Sequence, residues 1–157
     1  MLSLSDPHWG RFSANYTDGS RVAVLLSRAE NGEALPHWYD DLHQELLHQY
    51  TVSEAAIPAG PYLVTLAKTR RDARIKLLIL LGACHAFSDL EMLSSMPAEI
   101  IGEWRASASD ALELITDELK HQQPDAAQLL YLLMALAAVS GYPGLARSIE
   151  QLDYADE

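Results

Sequence analysis

The chain has 157 residues, of which 49% are hydrophobic and 21% charged; this balance excludes bulk disorder, and the length suits a single domain around one core. Its formal net charge of -11 argues against nucleic acid as a direct ligand, because phosphate binding needs a cationic surface, and favours a basic partner. Cys84 is the only cysteine, which excludes an internal disulfide or a cysteine-rich zinc site and suits a reducing compartment.

Met1 to Ser5 lack the basic start and apolar stretch of a secretory signal, so export is not expected and the cytoplasm is the simplest assignment. Asp6-Pro7-His8-Trp9-Gly10 to Asp18-Gly19 is rich in turn formers without sustained periodicity, and residues 1–17 read as an irregular N-terminal arm. Val22, Leu25, Leu26 and Ala29 have helical spacing, and Asn31-Gly32 stops that first helix. Pro36 opens a second, whose apolar stripe is Trp38, Leu42, Leu46 and Leu47. A third over Ser53 to Lys68 must be kinked or delayed by Pro58 and Pro61.

Arg74 to Phe87 is apolar nearly all round between Leu77 and Ala83, as expected of a helix covered on several sides. Pro97 opens a long helix to about His121, with Ile101, Trp104, Ala108, Leu112, Ile115 and Leu119 on one stripe and Glu99, Glu103, Asp110, Glu113 and Asp117 on the other side. Pro124 starts another through Val139, and Ser140-Gly141-Tyr142-Pro143-Gly144 breaks it before a terminal helix with Leu145, Ile149 and Leu152. The apolar runs Leu77 to Cys84 and Leu129 to Val139 fall short of the roughly 20 residues that span a bilayer, so no membrane partner is expected.

Leu77 to Ser88 can be laid on Leu129 to Ser140, with Leu77, Leu78, Leu80, Leu81, Ala83, Ala86 and Ser88 each meeting an identical residue. In both copies a longer amphipathic helix precedes and a turn follows, the pattern of stacked helical hairpins. The expected fold is therefore all-α, stacked antiparallel hairpins in one domain over 1–157.

Trp38 to Ala67 resembles a segment of small bacterial HEAT-like helical-repeat proteins, in which a tryptophan and leucines precede a His-Gln-Gly-Thr-Val-Tyr-like turn and an alanine-rich helix. The matching residues are Trp38, Leu42, Leu46, His48, Gln49, Thr51, Val52, Ala55, Ala56, Leu63 and Val64; Tyr50 stands where that pattern has glycine and Ser53 where it has tyrosine. Small acidic helical proteins of this type also resemble immunity proteins that neutralise a cognate bacterial toxin. The HEAT-like resemblance implies a stacked helical fold, and the likeness to immunity proteins implies binding to another protein, a role that needs no catalytic group; no cofactor is expected.

The residues themselves offer little chemistry. His37, Asp41, Glu45 and His48 share neighbouring turns of the second helix, but no His-Glu-x-x-His sequence completes a metal site, and a solvated polar face is the simpler reading. His48 and Gln49 suit a capping or turn hydrogen bond. Cys84 and His85 are adjacent and diverge by about 100° on a helix, a poor nucleophile pair, and Cys84 reads as an inert core residue. No Gly-x-Ser-x-Gly turn or phosphate-cradling loop occurs. Lys68, Arg70, Arg71, Arg74 and Lys76 suit pairing with the acidic helices or solvent better than phosphate.

Residues 91–157 carry 12 acidic and 3 basic groups, so the acidity is concentrated toward the C-terminus. The expected function is that of an immunity or inhibitor protein covering the basic surface of a toxin such as a nuclease, with a scaffold or adaptor subunit of a larger assembly as the alternative and a metal-dependent enzyme built on the second helix as the third. Glu103, Asp110, Glu113 and Asp117 are the first candidates for steering the partner. Asp40, Asp41 and Glu45 form the competing surface. Tyr39, Tyr142 and Tyr154 are candidate aromatic contacts, since aromatics contribute large area with few rotatable bonds. Trp38 and Trp104 fit the core.

Overall fold

The computed structural model describes residues 1–121 and 124–154, the last two by backbone only. Eight α-helices lie among them: α1 Gly19–Glu30, α2 His37–Leu46, α3 Ala56–Thr69, α4 Arg74–Phe87, α5 Leu90–Ser95, α6 Ala98–His121, α7 Ala126–Val139 and α8 Pro143–Glu150. The all-α expectation holds. Two-residue strands β1 (Leu47–His48) and β2 (Thr51–Val52) pair antiparallel between α2 and α3, Leu47 opposite Val52 and His48 opposite Thr51.

Local chemistry sets the helix ends. Asp18, Asp89 and Asp125 cap α1, α5 and α7, their side chains accepting from the backbone N–H groups of Ser20, Met92 and Gln128, which satisfies donors that a helix start leaves orphaned. Gly32 and Gly141 take φ of 82° and 88° just beyond α1 and α7, the left-handed geometry that glycine adopts without a Cβ penalty. Pro58 falls in the first turn of α3, whose start is delayed to Ala56, while Pro61 stands inside the helix. The short α5 had no periodic signal, and none of its residues is buried.

The middle of the molecule is a stack of two hairpins. Residues 70–73 turn the chain from α3 into α4, and α7 follows α6 in the chain; α3 lies on α6, and α4 packs most extensively on α7. Those last two helices carry the matched segments Leu77 to Ser88 and Leu129 to Ser140. Small residues permit the close approach: a Cβ placed on Gly60 would meet the Trp104 ring at 2.5 Å, and one on Gly82 would meet the Ala135 Cβ at 2.3 Å. One continuous core runs from Trp9 through α1 to Ala146 of α8.

Two expectations about burial need correction. On α6 the buried line is Trp104, Ser107, Ala111, Ile115 and Glu118, whereas Ile101, Ala108, Leu112 and Leu119 are half-buried. The helix is wedged between α3–α4 and α7, so the tightest contact is rotated toward small and satisfied polar side chains; the Ser107 hydroxyl donates to the Trp104 carbonyl at 2.7 Å. On α8 the buried pair is Ala146 and Glu150, one helical turn apart, and Leu145 is exposed; Leu152, expected in the same helix, falls beyond it in the 3-10 turn Gln151–Tyr154 and is also exposed. The N-terminal arm is irregular but packed. Its one 3-10 turn, Pro7–Arg11, buries Trp9, whose Nε1 donates to the Ser3 carbonyl at 2.9 Å and whose ring lies against Phe12 and Tyr62.

Candidate functional site

The clearest departure from ordinary backbone geometry is the turn between β1 and β2. The pairing of His48 with Thr51 leaves only Gln49 and Tyr50 to reverse the chain, and a two-residue hairpin loop of this kind requires positive φ at both positions, which is why Asn-Gly is favoured. Here φ is 46° at Gln49 and 67° at Tyr50. A bulky side chain in the left-handed region is a real outlier and costs of order 1–3 kcal/mol. Such strain persists only where the surroundings over-determine it, and they do: the Tyr50 hydroxyl donates to Glu150 Oε1 at 2.5 Å and its ring lies 4.9 Å from that of Phe87.

Tyr50 thereby forms one wall of a cavity of about 490 Å³ between the hairpin, α4, α7 and α8, within the size range of ligand and side-chain pockets. Leu47, Ile79, Ala83 and Met134 supply apolar walls, Phe87 and Tyr131 further rings. Its polar groups are few. His43 reaches it from α2 with its pKa lowered by burial, opposed by Asp40, and so held toward the neutral form. Glu150, 7% exposed, brings a carboxylate from α8. Among the described residues its one hydrogen bond is the one from Tyr50, and no cation forms an ion pair with it. Arg147, one turn earlier, donates instead to the Ala86 carbonyl at 3.2 Å.

A second cavity of similar volume lies beneath α5. There the His85 ring stacks on Trp104, centroids 3.6 Å apart, with Nε2 buried and unbonded, and burial pushes its pKa down to about 3. Cys84 is fully buried on the other side of α4, its thiol pushed up to about 12 by burial. A neutral imidazole and a protonated thiol diverging from one helix make no nucleophile pair.

The acidic residues of α6 prove largely committed within the chain. Glu103 pairs with the N-terminal ammonium, Asp110 with Lys68 at 2.7 Å, and Asp117 with both Arg74 at 3.2 Å and His121 at 3.0 Å. Glu113 is exposed and has no ion pair among the described residues. The basic group therefore answers the acidic helix, as the sequence suggested: Lys68 and Arg74 face α6, Arg70 holds Asp72 and stacks over Trp38, and Lys76 lies over the Tyr39 ring.

On α2, Asp40 is exposed and Asp41 pairs with Arg21 at 2.7 Å. Glu45 departs from the expected solvated face. It is 7% exposed, and its Oε2 accepts from the backbone N–H groups of Tyr16 and Thr17 at 3.1 and 3.2 Å, so it fastens the N-terminal arm. Tyr39 is half-buried, donates its hydroxyl to the Lys76 carbonyl at 3.1 Å, and has its pKa raised by burial. Tyr142 is 64% exposed at the head of α8. Tyr154 ends the 3-10 turn Gln151–Tyr154, and its side chain lies outside the described residues. His48 bonds Gln44 Oε1 and the Tyr16 hydroxyl, side-chain contacts to α2 and the arm in place of the expected capping or turn bond. No group of three His, Cys, Asp or Glu side chains able to hold a metal ion occurs among the described residues.

Sequence reasoning missed Tyr50 and Glu150 as site residues. The signal for the first was present, an aromatic where the HEAT-like pattern has glycine; for the second, the i, i+4 relation to Ala146 was masked by the more conspicuous Leu145, Ile149 and Leu152. Comparison of the chain with protein-family models, with curated proteins and with solved structures finds no match.

Proposed function

We propose that the protein acts by binding another protein, as an immunity or inhibitor protein that occludes a basic partner such as a nuclease toxin. The observation that carries this reading is the open, aromatic-lined cavity whose wall is a strained tyrosine turn. Strain of this kind concentrates at sites of recognition, and apolar rings around a few placed polar groups make a binding anchor. The net charge of -11 adds long-range attraction for a cationic surface. Acidic side chains already paired with Lys68 and Arg74 contribute to that field without being the contact itself.

The test is co-expression with the product of the gene adjacent to its own. A stable complex and protection of the host from that product support the reading; a neighbour that is harmless alone and does not co-purify overturns it. A second reading, a scaffold subunit, is favoured by one observation: Leu129 and Leu133, one turn apart on α7, remain exposed, an apolar strip on that helix. It predicts that Leu129→Ser with Leu133→Ser abolishes association, where the cavity reading predicts that Tyr50→Ala does.

A further inference from the structure

We propose that the cavity beside the 49–50 turn receives one arginine side chain of the partner, with the Glu150 carboxylate as its anchor. This rests on the protein-binding reading and names the partner's chemistry. A carboxylate removed from water is costly unless it is paired or fully hydrogen-bonded. The other buried acids obey that rule: Glu118 has Arg74, and Glu45 has two backbone N–H groups. Glu150 has one tyrosine hydroxyl and no cation among the described residues, and it lines a cavity large enough to admit a side chain.

The walls fit a guanidinium better than an ammonium. Phe87, its ring tilted against that of Tyr50 with centroids 4.9 Å apart, adds aromatic surface to the lining, the kind of wall on which a flat, weakly hydrated cation packs. Ile79 and Met134 offer apolar surface for the methylene stem that leads to it. A compact, strongly hydrated lysine head would forgo the stacking.

The probe is acetyl-Gly-Arg-Gly-amide, compared with the same tripeptide carrying citrulline, its neutral isostere, and with butylguanidinium alone. Binding is read from the Met134 methyl resonance during titration. The arginine peptide and butylguanidinium are expected to shift that resonance, and the citrulline peptide is not. Glu150→Gln keeps an acceptor for the Tyr50 hydroxyl, so it should retain the parent melting temperature while weakening the arginine peptide by roughly ten- to a hundredfold, the range for a lost hydrogen bond to a charged group. Should Glu150→Gln fail to fold, Phe87→Leu provides the second variant, with weaker binding expected from the missing ring.

Equal binding of arginine and citrulline peptides overturns the proposal, as does arginine binding that leaves Met134 unmoved or survives both variants. Entry of butylguanidinium but not the peptide would assign the cavity to a small cation and overturn docking. A neighbour gene product that fails to bind refutes the inhibitor reading separately, whatever the tripeptides show.

Discussion

Gly82 of α4 lies so close to Ala135 of α7 that a Cβ on the glycine would stand 2.3 Å from the Ala135 Cβ and 2.4 Å from its Cα. Neither atom belongs to a flexible side-chain end, so the two helix backbones would have to separate. Gly82→Ala is therefore expected to destabilise the protein by about 3 kcal/mol, the upper part of the usual range for overpacking. Gly102, inside α6 with nothing near its Cβ position, provides the opposite case: Gly102→Ala should stabilise by roughly 0.5–1 kcal/mol through helix propensity alone. Urea unfolding of the two variants measures both, and a Gly82→Ala variant as stable as the parent would refute the close packing of the two hairpins.

The strain at the hairpin turn has a similar signature. Gln49 is exposed and its φ is 46°. Gln49→Gly removes the steric cost of the left-handed conformation and leaves the Tyr50 contacts in place, so a net gain of about 1 kcal/mol is expected after allowing for the freer unfolded chain, a rise of roughly 2–4 °C in melting temperature. Tyr50→Gly relieves the same strain but loses the bond to Glu150 and the packing on Phe87. Its melting temperature should fall below that of Gln49→Gly. If both variants melt together, the tyrosine contacts contribute nothing to holding the turn.

These two cases show where the sequence was readable. Hydrophobic periodicity locates α4 end to end, because Arg74 to Phe87 is bounded by a basic turn and by Ser88-Asp89 and must be buried on several sides. The same rule misplaces the buried line of α6, since periodicity reports which face is apolar while burial is decided by what packs there; Ser107 is buried with its hydroxyl satisfied by the Trp104 carbonyl one turn back, and Glu118 with Arg74 of α4 as its partner. It also exposes Glu45 where the arm's backbone in fact needs an acceptor. Glu150 was illegible for the same reason. Whether a carboxylate on a helix faces water or a cavity depends on elements distant in the chain, here Tyr50 and Phe87.

The charge pairs give an ordered prediction. Arg74 Nε lies 2.8 Å from Glu118 Oε1, an ion pair whose N–H is not aligned for a hydrogen bond, with the glutamate side chain 8% exposed, whereas Asp117 on the same arginine is half-exposed. Removing one partner of a buried pair leaves the other charge desolvated and uncompensated, while exposed pairs count for little. Glu118→Gln should therefore cost about 1–2 kcal/mol, discounted from the fully buried case because Arg74 keeps some solvent and the Asp117 carboxylate, and Asp117→Asn should be nearly silent. Reversing Glu103, Asp110 and Asp117 together places like charges against the N-terminus, Lys68 and Arg74, so this variant should melt below the parent. An unchanged melting temperature would mean that those exposed contacts are not populated in solution.

His85 sets a pH dependence whose sign can be worked out. Its pKa is about 3 in the folded chain against an ordinary value of 6.5, and burial is the cause. Arg105 is the charged side chain lining the same cavity, and no acidic side chain among the described residues lines it, so nothing there stabilises an imidazolium. Between pH 6.5 and 3 the unfolded chain binds a proton at this site that the folded chain does not, and stability falls as pH is lowered through that window, by about 1.4 kcal/mol per unit. Above pH 6.5 both states are neutral here and the contribution is flat. His85→Phe keeps an aromatic ring against Trp104 but cannot take a proton. Between pH 7.5 and pH 5 the parent should lose about 2 kcal/mol more than this variant, since pH 5 lies 1.5 units inside the window, and urea unfolding at the two pH values measures the difference. Parallel losses would show that the imidazole reaches water in the folded state, and with it that the space beneath α5 is open enough to hydrate Nε2.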